Sequence, residues 1–272
     1  MENKGYSQEN RYRINFSTGI SIENLDWNIS GNEFGESPNI QSELIFQNIT
    51  SQKYGVELYA IRMKNSYKAS FNLNIQRKGT IFDTDYLYDD RQGGYNYEHY
   101  SINKGTGIEL KIGYQRKILQ LPKMALSIGP TLQYKTSNFP IIDRDIGLDS
   151  YYQYSNSNLG FELSLKHFKK LNFEISNTFL ISKLKAEGYW NLRQDFLNPS
   201  FKQGDVGYAN SAKFNISYPV SFFSLGTSLS YDFARFKNGF DRTYTTTNVY
   251  KTRLNNLKAS IFCAEIILSK QF

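Results

Sequence analysis

The sequence predicts an all-β fold: a ten-stranded antiparallel β-barrel that crosses a membrane, with five long loops at one end and four short turns at the other. Three observations support this prediction. Aromatic residues, which favour strands, make up 16% of the 272 residues. Apolar and polar residues alternate along most of the chain, as expected for strands whose two faces meet different surroundings. Short and long connections alternate between the predicted strands.

The composition excludes several other classes of protein. The chain is 40% hydrophobic, its mean hydropathy is -0.53, and it contains no run of ~18 apolar residues that could form a spanning helix. The single cysteine, Cys263, allows neither an intramolecular disulfide nor a cysteine-based zinc site. The net charge is +7, but the basic residues are scattered, so we expect no nucleic-acid partner.

Ten segments carry the strand pattern. In residues 107–115, for example, Ile108, Leu110 and Ile112 alternate with Glu109 and Lys111. Each segment is at least as long as the ~9–11 residues that a tilted strand needs to cross a membrane. The predicted strands are 11–22, 41–63, 67–79, 105–119, 124–134, 158–168, 173–185, 206–218, 223–233 and 256–272.

The connections between these strands indicate the type of barrel. Tight turns on one side and long loops on the other are typical of outer-membrane barrels, and an even number of strands places both termini on the short-turn side. We therefore predict one barrel domain, 11–272, after a short polar segment, 1–10. The short periplasmic turns lie near 63–67, 120–124, 168–172 and 218–222, and the long loops at about 23–39, 80–104, 135–157, 186–205 and 234–255.

The predicted interior is polar and closely packed. A barrel of ten strands has a narrow lumen, and buried charges of opposite sign are expected to pair. We therefore expect a packed polar network, and a narrow transport pore is the least favoured function. The inward charged residues are Glu57, Glu109, Lys111, Glu162, Lys166, Glu174, Lys213 and Asp232.

The last strand ends on an aromatic residue. Phe272 follows a strand whose outward set includes Phe262, Ile266 and Leu268, and this ending resembles the carboxy-terminal signal that bacterial barrel-assembly machinery recognises. We therefore expect the protein in the bacterial outer membrane. Met1 is followed by the polar ENKGYSQEN, so the signal peptide needed for export is expected to be absent from this numbering.

An acidic stretch, IFDTDYLYDD, occupies residues 81–90 in the second long loop. Asp83, Asp85, Asp89 and Asp90 supply oxygen ligands of the kind that Ca²⁺ takes, but the spacing and the glycine of an EF-hand are absent. We therefore expect no metal site and no other cofactor. The default interpretation of this stretch is a solvated, tyrosine-rich external loop, and calcium binding is the minor alternative.

Short motifs carry a family resemblance. The pair Asp83 and Asp85 followed by Tyr86, together with QSELIF at 41–46 and the terminal Phe272, resembles the omptin family of outer-membrane proteases. The segment AEGYWNLRQDFLNPSF, 186–201, is more similar to the omptin-shaped outer-membrane proteins described from environmental chlamydiae and related bacteria.

The omptin resemblance implies a catalytic arrangement that this chain matches only in part. In omptins an aspartate pair faces an acidic residue that is followed two positions on by a histidine, and the carboxylate orients the imidazole that acts as base. Asp83 and Asp85 match the first half. In the fourth loop the candidate acid is Asp195, but Leu197 stands two positions on.

Only two histidines are present, His99 and His167. His167 lies beside a short turn, which leaves His99, on the same loop as the aspartate pair, as the candidate base. The leading hypothesis is therefore a surface protein with a binding or scaffolding role and without protease activity. The alternative is an aspartate-dependent, omptin-type surface protease that uses Asp83 and Asp85.

Other residues predict surface contacts. In the fourth loop, Trp190, Arg193 and Asp195 form a recognition site or hold the loop in place, and the structural role is favoured because Arg and Asp at this spacing can pair.

Basic residues near strand ends predict contact with outer-membrane lipid and lipopolysaccharide; these are Arg77, Lys78, Arg116, Lys117, Lys183 and Lys185. Aromatic residues that flank the loops predict an outer aromatic girdle, or a surface for a partner protein or glycan; these are Trp27, Tyr86, Tyr88, Tyr151, Tyr152, Tyr154, Tyr189 and Trp190.

Overall fold

The computed structural model describes residues 10–102 and 104–272, and almost all of them lie in antiparallel strands. A single turn of 3₁₀ helix, Asp89–Arg91, interrupts the strands. None of the described residues forms a helix long and apolar enough to cross a membrane. The strands are β1 (Arg11–Ile29), β2 (Ser42–Arg62), β3 (Asn65–Tyr88), β4 (Gln92–Ile102), β5 (Thr106–Leu121), β6 (Met124–Asp143), β7 (Leu148–His167), β8 (Asn172–Tyr189), β9 (Phe196–Val220), β10 (Phe223–Thr245) and β11 (Val249–Gln271).

These strands close into a ring. β1 pairs with β2 on one side and with β11 on the other, and β2 pairs in turn with β3. β4 and β5 share one position in the wall, because β3 pairs with β4 in its upper half and with β5 in its lower half. The result is a ten-stranded antiparallel wall, which confirms the predicted fold class.

The two ends of the barrel differ as the sequence predicts. Four short turns, at 63–64, 122–123, 168–171 and 221–222, lie at one end. Both ends of the described barrel lie there too, since the Phe272 backbone N–H donates to the Tyr12 carbonyl oxygen at 2.8 Å. The five long segments lie at the other end, which we call the external end.

The external segments contain more strand than the sequence predicted. In these external segments the residues outside strands are 30–41, 89–91, 144–147, 190–195 and 246–248, and Lys104 and Gly105, between β4 and β5, also lie outside strands. β7, for example, begins at Leu148, whereas the predicted strand begins at 158. The physical reason is that cross-strand ladders satisfy backbone groups beyond the membrane as well as within it. Residues 150–157, SYYQYSNS, alternate between buried and more exposed positions in the strand, but both sets are polar or tyrosine, so the sequence shows little apolar contrast.

A band of apolar side chains covers the outside of the barrel. Large exposed apolar patches are rare on soluble monomers, but a membrane stabilises such a band on an outer-membrane barrel. The outward alternation that the sequence predicts is therefore confirmed. The band includes Phe16, Ile20, Leu58, Phe71, Leu110, Ile112, Leu132, Leu159, Phe161, Phe179, Ile181, Leu229, Ile266 and Leu268, all of them exposed.

The lower part of the lumen holds a network of ion pairs. Glu57 Oε1 lies 3.2 Å from the Nζ atoms of both Lys68 and Lys213. A cavity of about 50 Å³ lies among these and other polar side chains. The packed, mixed-sign network that the sequence predicts is therefore confirmed. Further pairs are Lys53–Glu265 at 3.3 Å, Lys111–Glu162 at 2.6 Å and Lys166–Glu174 at 3.2 Å.

Above this network an apolar cluster, which we call the plug, fills the lumen. The ring centroids of Phe46 and Phe139 are 4.8 Å apart, and those of Phe46 and Tyr152 are 5.4 Å apart. Together with the ion-pair network below it, the plug packs the described part of the lumen with side chains. It comprises Leu25, Trp27, Leu44, Phe46, Ile81, Tyr100, Ile102, Phe139, Ile141, Tyr152, Leu184, Phe236 and Leu254.

The plug corrects part of the predicted aromatic girdle. Trp27, Tyr152 and Tyr154 are 5%, 0% and 1% exposed, so they face the interior and cannot contact lipid. Trp27 stacks on Tyr152 with ring centroids 5.9 Å apart. The tyrosine hydroxyls find buried partners, since Tyr152 donates to Gln203 and Tyr154 to Glu23. Partners of this kind allow a tyrosine to be buried without leaving its hydroxyl unsatisfied.

Candidate surface binding site

The β3–β4 hairpin places three acidic side chains at the external mouth of the barrel. Asp83 lies opposite Glu98, and Asp85 lies opposite Asn96. Residues opposite each other point to the same face of a sheet. Asp83 also lies opposite Leu44, whose buried side chain belongs to the plug. Asp83, Asp85 and Glu98 therefore face the mouth, above the plug, and we call them the acidic trio.

The other two aspartates of this stretch hold the hairpin in place. The Asn39 backbone N–H donates to Asp89 Oδ1 at 2.6 Å, and its side-chain amide donates to Asp90 Oδ1 at 2.9 Å. Asp90 has a φ of 55°, in the left-handed region that aspartate tolerates in turns. Next in the chain, Arg91 pairs with Glu43 at 2.8 Å. Asp89 and Asp90 thus anchor the hairpin tip to the loop between β1 and β2.

The acidic trio carries uncompensated charge. Burial, followed by the charges of Asp85 and Glu98, raises the pKa of Asp83 to about 7. Burial also raises the pKa of Asp85, although hydrogen bonds from Ser42 and Asn96 oppose that rise. None of the ion pairs between described residues includes a member of the trio. A cationic group at the mouth would therefore be stabilised.

The fourth external loop, 190–195, extends over the same mouth. The Trp190 ring packs edge-on against Tyr100 of β4, with centroids 5.7 Å apart. Arg193 donates two hydrogen bonds to Asp195, at 2.7 and 3.1 Å, and its guanidinium lies 4.2 Å from the ring centroid of Phe196. These contacts tie Arg193 and Asp195 to each other and Trp190 to β4.

Arg193 also links the fourth loop to the acidic trio. Its positive charge partly offsets the rise in the pKa of Asp85. It likewise partly offsets the rise in the pKa of Tyr95, which burial causes. The structure therefore places Trp190, Arg193 and Asp195 at the same external mouth as Asp83 and Asp85.

Neither histidine joins the acidic trio. His99 lies opposite Phe82 and alternates with Glu98 along β4, so it points to the other face of the hairpin. His167 ends β7 at the short-turn end of the barrel, opposite Met124. Leu197, two positions after Asp195, is 46% exposed and apolar. The described residues therefore place no imidazole beside the aspartate pair.

Sequence reasoning did not identify Glu98. In the sequence, Glu98 falls within the predicted long loop 80–104. The alternation in YNYEHYSI, 95–102, was the signal that could have revealed a strand folding back on β3. Among the described residues, no group of three or more His, Cys, Asp or Glu side chains is arranged to hold a metal ion.

The fold and the mouth define this chain as an outer-membrane-type β-barrel with an acidic external opening. No protein-family model matches the sequence, and no curated protein matches it. Among solved structures, it is similar to the outer-membrane protease OmpT from Escherichia coli. That similarity has a TM-score of 0.77 and 11% identity and covers 100% of this chain and 99% of that chain.

Two other solved barrels resemble the chain less. The toluene transporter TodX of Pseudomonas putida has a TM-score of 0.34 and 8% identity, covering 98% of this chain and 91% of that chain. OprG from Pseudomonas aeruginosa has a TM-score of 0.37 and 8% identity, covering 97% of each chain. At 11% identity, the similarity to OmpT concerns the fold alone.

Proposed function

We propose that this chain is an omptin-shaped surface protein of the bacterial outer membrane that binds a ligand at its external mouth and does not cleave peptides. The observation that carries the proposal is the acidic trio, which faces the mouth without a histidine beside it. The fourth loop, with Trp190 and Arg193, forms the other side of the binding site.

The charge of the trio indicates the kind of ligand. Three carboxylates that form no ion pair with described residues repel one another. A ligand that carries amino or guanidinium groups relieves this repulsion, whereas an anionic ligand increases it. The mouth therefore favours a cationic segment of a partner protein over an acidic glycan.

An aspartate-dependent protease remains the second candidate, and one observation favours it. A general base works best when its pKa is near the working pH, and the pKa of Asp83 is about 7. In this alternative Asp83 activates water without an imidazole. Transport through the lumen is disfavoured because the plug and the ion-pair network fill it.

We also propose that basic residues on the outer face of the barrel contact lipopolysaccharide. Lys183 and Lys185 are exposed on the outer face of β8, following the apolar residues Phe179 and Ile181 at alternate positions. Ammonium groups at the upper border of an apolar band lie where lipid phosphates are found.

A paired test for cleavage and retention separates the two candidate functions. We expect the folded protein, in detergent with lipopolysaccharide, to leave a mixed peptide library intact and to retain its basic members. The triple variant Asp83→Asn, Asp85→Asn, Glu98→Gln should lose this retention and still fold, because it removes a repulsion. Mass spectrometry of the bound and free peptides gives both results.

The matched control is the double variant Glu33→Gln, Glu36→Gln. Both residues are exposed on the loop between β1 and β2, at the same end of the barrel. We expect this control to retain basic peptides as the wild type does. Cleavage that disappears in Asp83→Asn would establish the protease instead, and retention that survives in the triple variant would contradict binding at the mouth.

We also expect the binding to depend on pH. As the pH falls from about 8 to about 6, Asp83 takes up a proton, because its pKa is about 7. Affinity for a lysine-rich test peptide should fall by about fivefold, as expected for a lost ion pair of about 1 kcal/mol. Fluorescence anisotropy measures the effect. The Asp83→Asn variant should show no decline over this interval, and an undiminished decline would assign the titration to another group.

A further inference from the structure

The short-turn end of the barrel is basic, and its described part contains no acidic side chain. The described Asp and Glu residues lie instead in the lumen or at the external end. In an outer-membrane barrel the short turns face the periplasm, so this end meets the phospholipids of the periplasmic leaflet. The described residues that form it are 10–14, 59–69, 113–127, 167–173, 216–226 and 268–272.

Exposed basic side chains and aromatic rings share this end. Tyr67, Phe222 and Phe272 are 56%, 72% and 61% exposed, as expected for rings at a membrane interface. Lys270 Nζ lies 5.0 Å from the ring centroid of Phe272. The basic residues therefore lie at the height of the lipid headgroups. They are Arg62, Lys64, Arg116, Lys123, Lys169, Lys170 and Lys270, and no ion pair between described residues includes any of them.

Two of these arginines flank one asparagine on the outer face of the barrel. Arg62 on β2 lies opposite Asn65 on β3, and Asn65 lies opposite Arg116 on β5. Residues opposite each other point to the same face of a sheet. Arg116 follows the exposed Ile112 by four positions, so this face is the outer one. Because neighbouring strands lie about 4.8 Å apart, the two arginine Cα atoms are about 10 Å apart.

The three side chains suit a phosphate group. A guanidinium group binds phosphate through two parallel hydrogen bonds, and two arginines at this separation can reach one phosphate from opposite sides. Asn65 Oδ1 accepts a hydrogen bond from the Tyr114 hydroxyl at 2.7 Å, so the amide nitrogen of Asn65 remains as a further donor. None of the described carboxylates at this end competes for these donors, because the end contains none.

We propose that Arg62, Asn65 and Arg116 bind the phosphate of an anionic phospholipid in the periplasmic leaflet of the outer membrane. An anionic headgroup offsets the two guanidinium charges. A zwitterionic headgroup also brings an ammonium group, which finds no described carboxylate at this end. This inference concerns the end opposite the mouth and goes beyond the proposed function.

Quenching by brominated lipid tests the proposal. The reporter is Tyr67→Trp, because Tyr67 is exposed on β3, two residues from Asn65. The protein is reconstituted in phosphatidylcholine vesicles that contain phosphatidylglycerol with brominated acyl chains, or the same amount of brominated phosphatidylcholine. Trp27 and Trp190 lie in the external half, and the protein without the reporter substitution gives their background.

We expect phosphatidylglycerol to bind beside the reporter at least about fivefold more strongly than phosphatidylcholine, because basic residues at a membrane surface attract anionic lipid. In the double variant Arg62→Gln, Arg116→Gln, this preference should fall below about twofold. Both arginines are exposed and form no ion pair with described residues, so the variant should fold, and gel mobility checks that it does.

The matched control is the double variant Lys169→Gln, Lys170→Gln. It removes the same charge from the same end, but from the turn between β7 and β8. We expect this control to keep the preference for phosphatidylglycerol.

Three results would overturn the inference. The first is equal quenching by the two brominated lipids, or a preference that survives in the arginine variant. The second is an equal loss in the arginine variant and in the control, which would assign the preference to the net charge of this end. The third is loss of the preference in millimolar inorganic phosphate at constant ionic strength, which would show that the site takes phosphate from solution in place of a lipid.

Discussion

Replacing Glu57 with glutamine should destabilise the barrel by about 3 to 5 kcal/mol, the range observed when one partner of a buried ion pair is removed. Glu57 pairs with both Lys68 and Lys213 at 3.2 Å, and its second oxygen accepts hydrogen bonds from Asn15 and Tyr59 at 3.0 Å. The neutral amide leaves two lysines in a narrow lumen without their carboxylate. Urea unfolding in lipid vesicles, followed by tryptophan fluorescence, measures the free energy of unfolding.

Glu43→Gln provides the matched control. Glu43 pairs with one basic residue, Arg91, whose side chain is 48% exposed. Exposed pairs contribute at most about 1 kcal/mol, so the control should lose far less stability than Glu57→Gln. Adding Lys213→Met to Glu57→Gln should restore part of the lost stability. The second substitution removes one of the two lysine charges that the first leaves without a carboxylate. Equal effects of Glu57→Gln and Glu43→Gln would show that the lumen network contributes no more than a surface pair.

Removing two aromatic rings from the plug should expose Cys263 to water-soluble reagents. Cys263 lies opposite Ser230, which lines the polar cavity below the plug, and the thiol is 2% exposed. In the double variant Phe46→Ala, Tyr152→Ala, we expect a small thiol reagent to label Cys263 much faster than in the wild type. Each substitution should cost about 3 to 5 kcal/mol, as in other cores that lose a large aromatic ring.

Cys263 is the only cysteine in the chain, so mass spectrometry reports this labelling directly. Phe240→Ala is the control that removes one aromatic ring away from the plug, since Phe240 is 50% exposed at the external end. It should leave Cys263 protected. Gel mobility must show that every variant is folded. Rapid labelling of the wild type, or similar labelling of the double variant and of Phe240→Ala, would contradict a sealed lumen.

The two predictions concern different parts of one closed interior. The ion-pair network lies at the level of the apolar band. The lumen is narrow there, so buried charges of opposite sign lie close enough to pair. The plug lies above it, where the external strands bring aromatic side chains to the centre. Together they leave the mouth as the accessible part of the lumen, which is why the proposed binding site lies there.

Much of the barrel could be predicted from sequence, because the alternation that marks each strand is a local pattern. Alternation along 107–115 is enough to direct Leu110 outward and Glu109 inward, and the short turns set the number of strands. The opposite charges of the inward residues Glu57 and Lys213 predict that they form ion pairs, even when the register of the strands is unknown. These inferences need only the period of a strand and the energetic cost of unpaired charge.

Only part of the candidate site could be predicted from the sequence. The aspartate pair at Asp83 and Asp85 stands out in the sequence, and the missing histidine beside Asp195 is equally plain. Glu98 joins the aspartates only because the turn at Asp89–Arg91 sets the register of β3 and β4. His99, one residue further on, is turned away by the same register.

The sequence by itself therefore determined the fold class, the inward and outward faces, and the acidic character of the second external segment. Tertiary structure alone decided that Trp27 and Tyr152 pack inside the lumen instead of facing lipid, that β4 folds back on β3, and that Glu98 thereby completes the acidic trio. The physical reason is that side-chain alternation is encoded within each strand, whereas register, ring closure and the choice of neighbours depend on residues far apart in the chain.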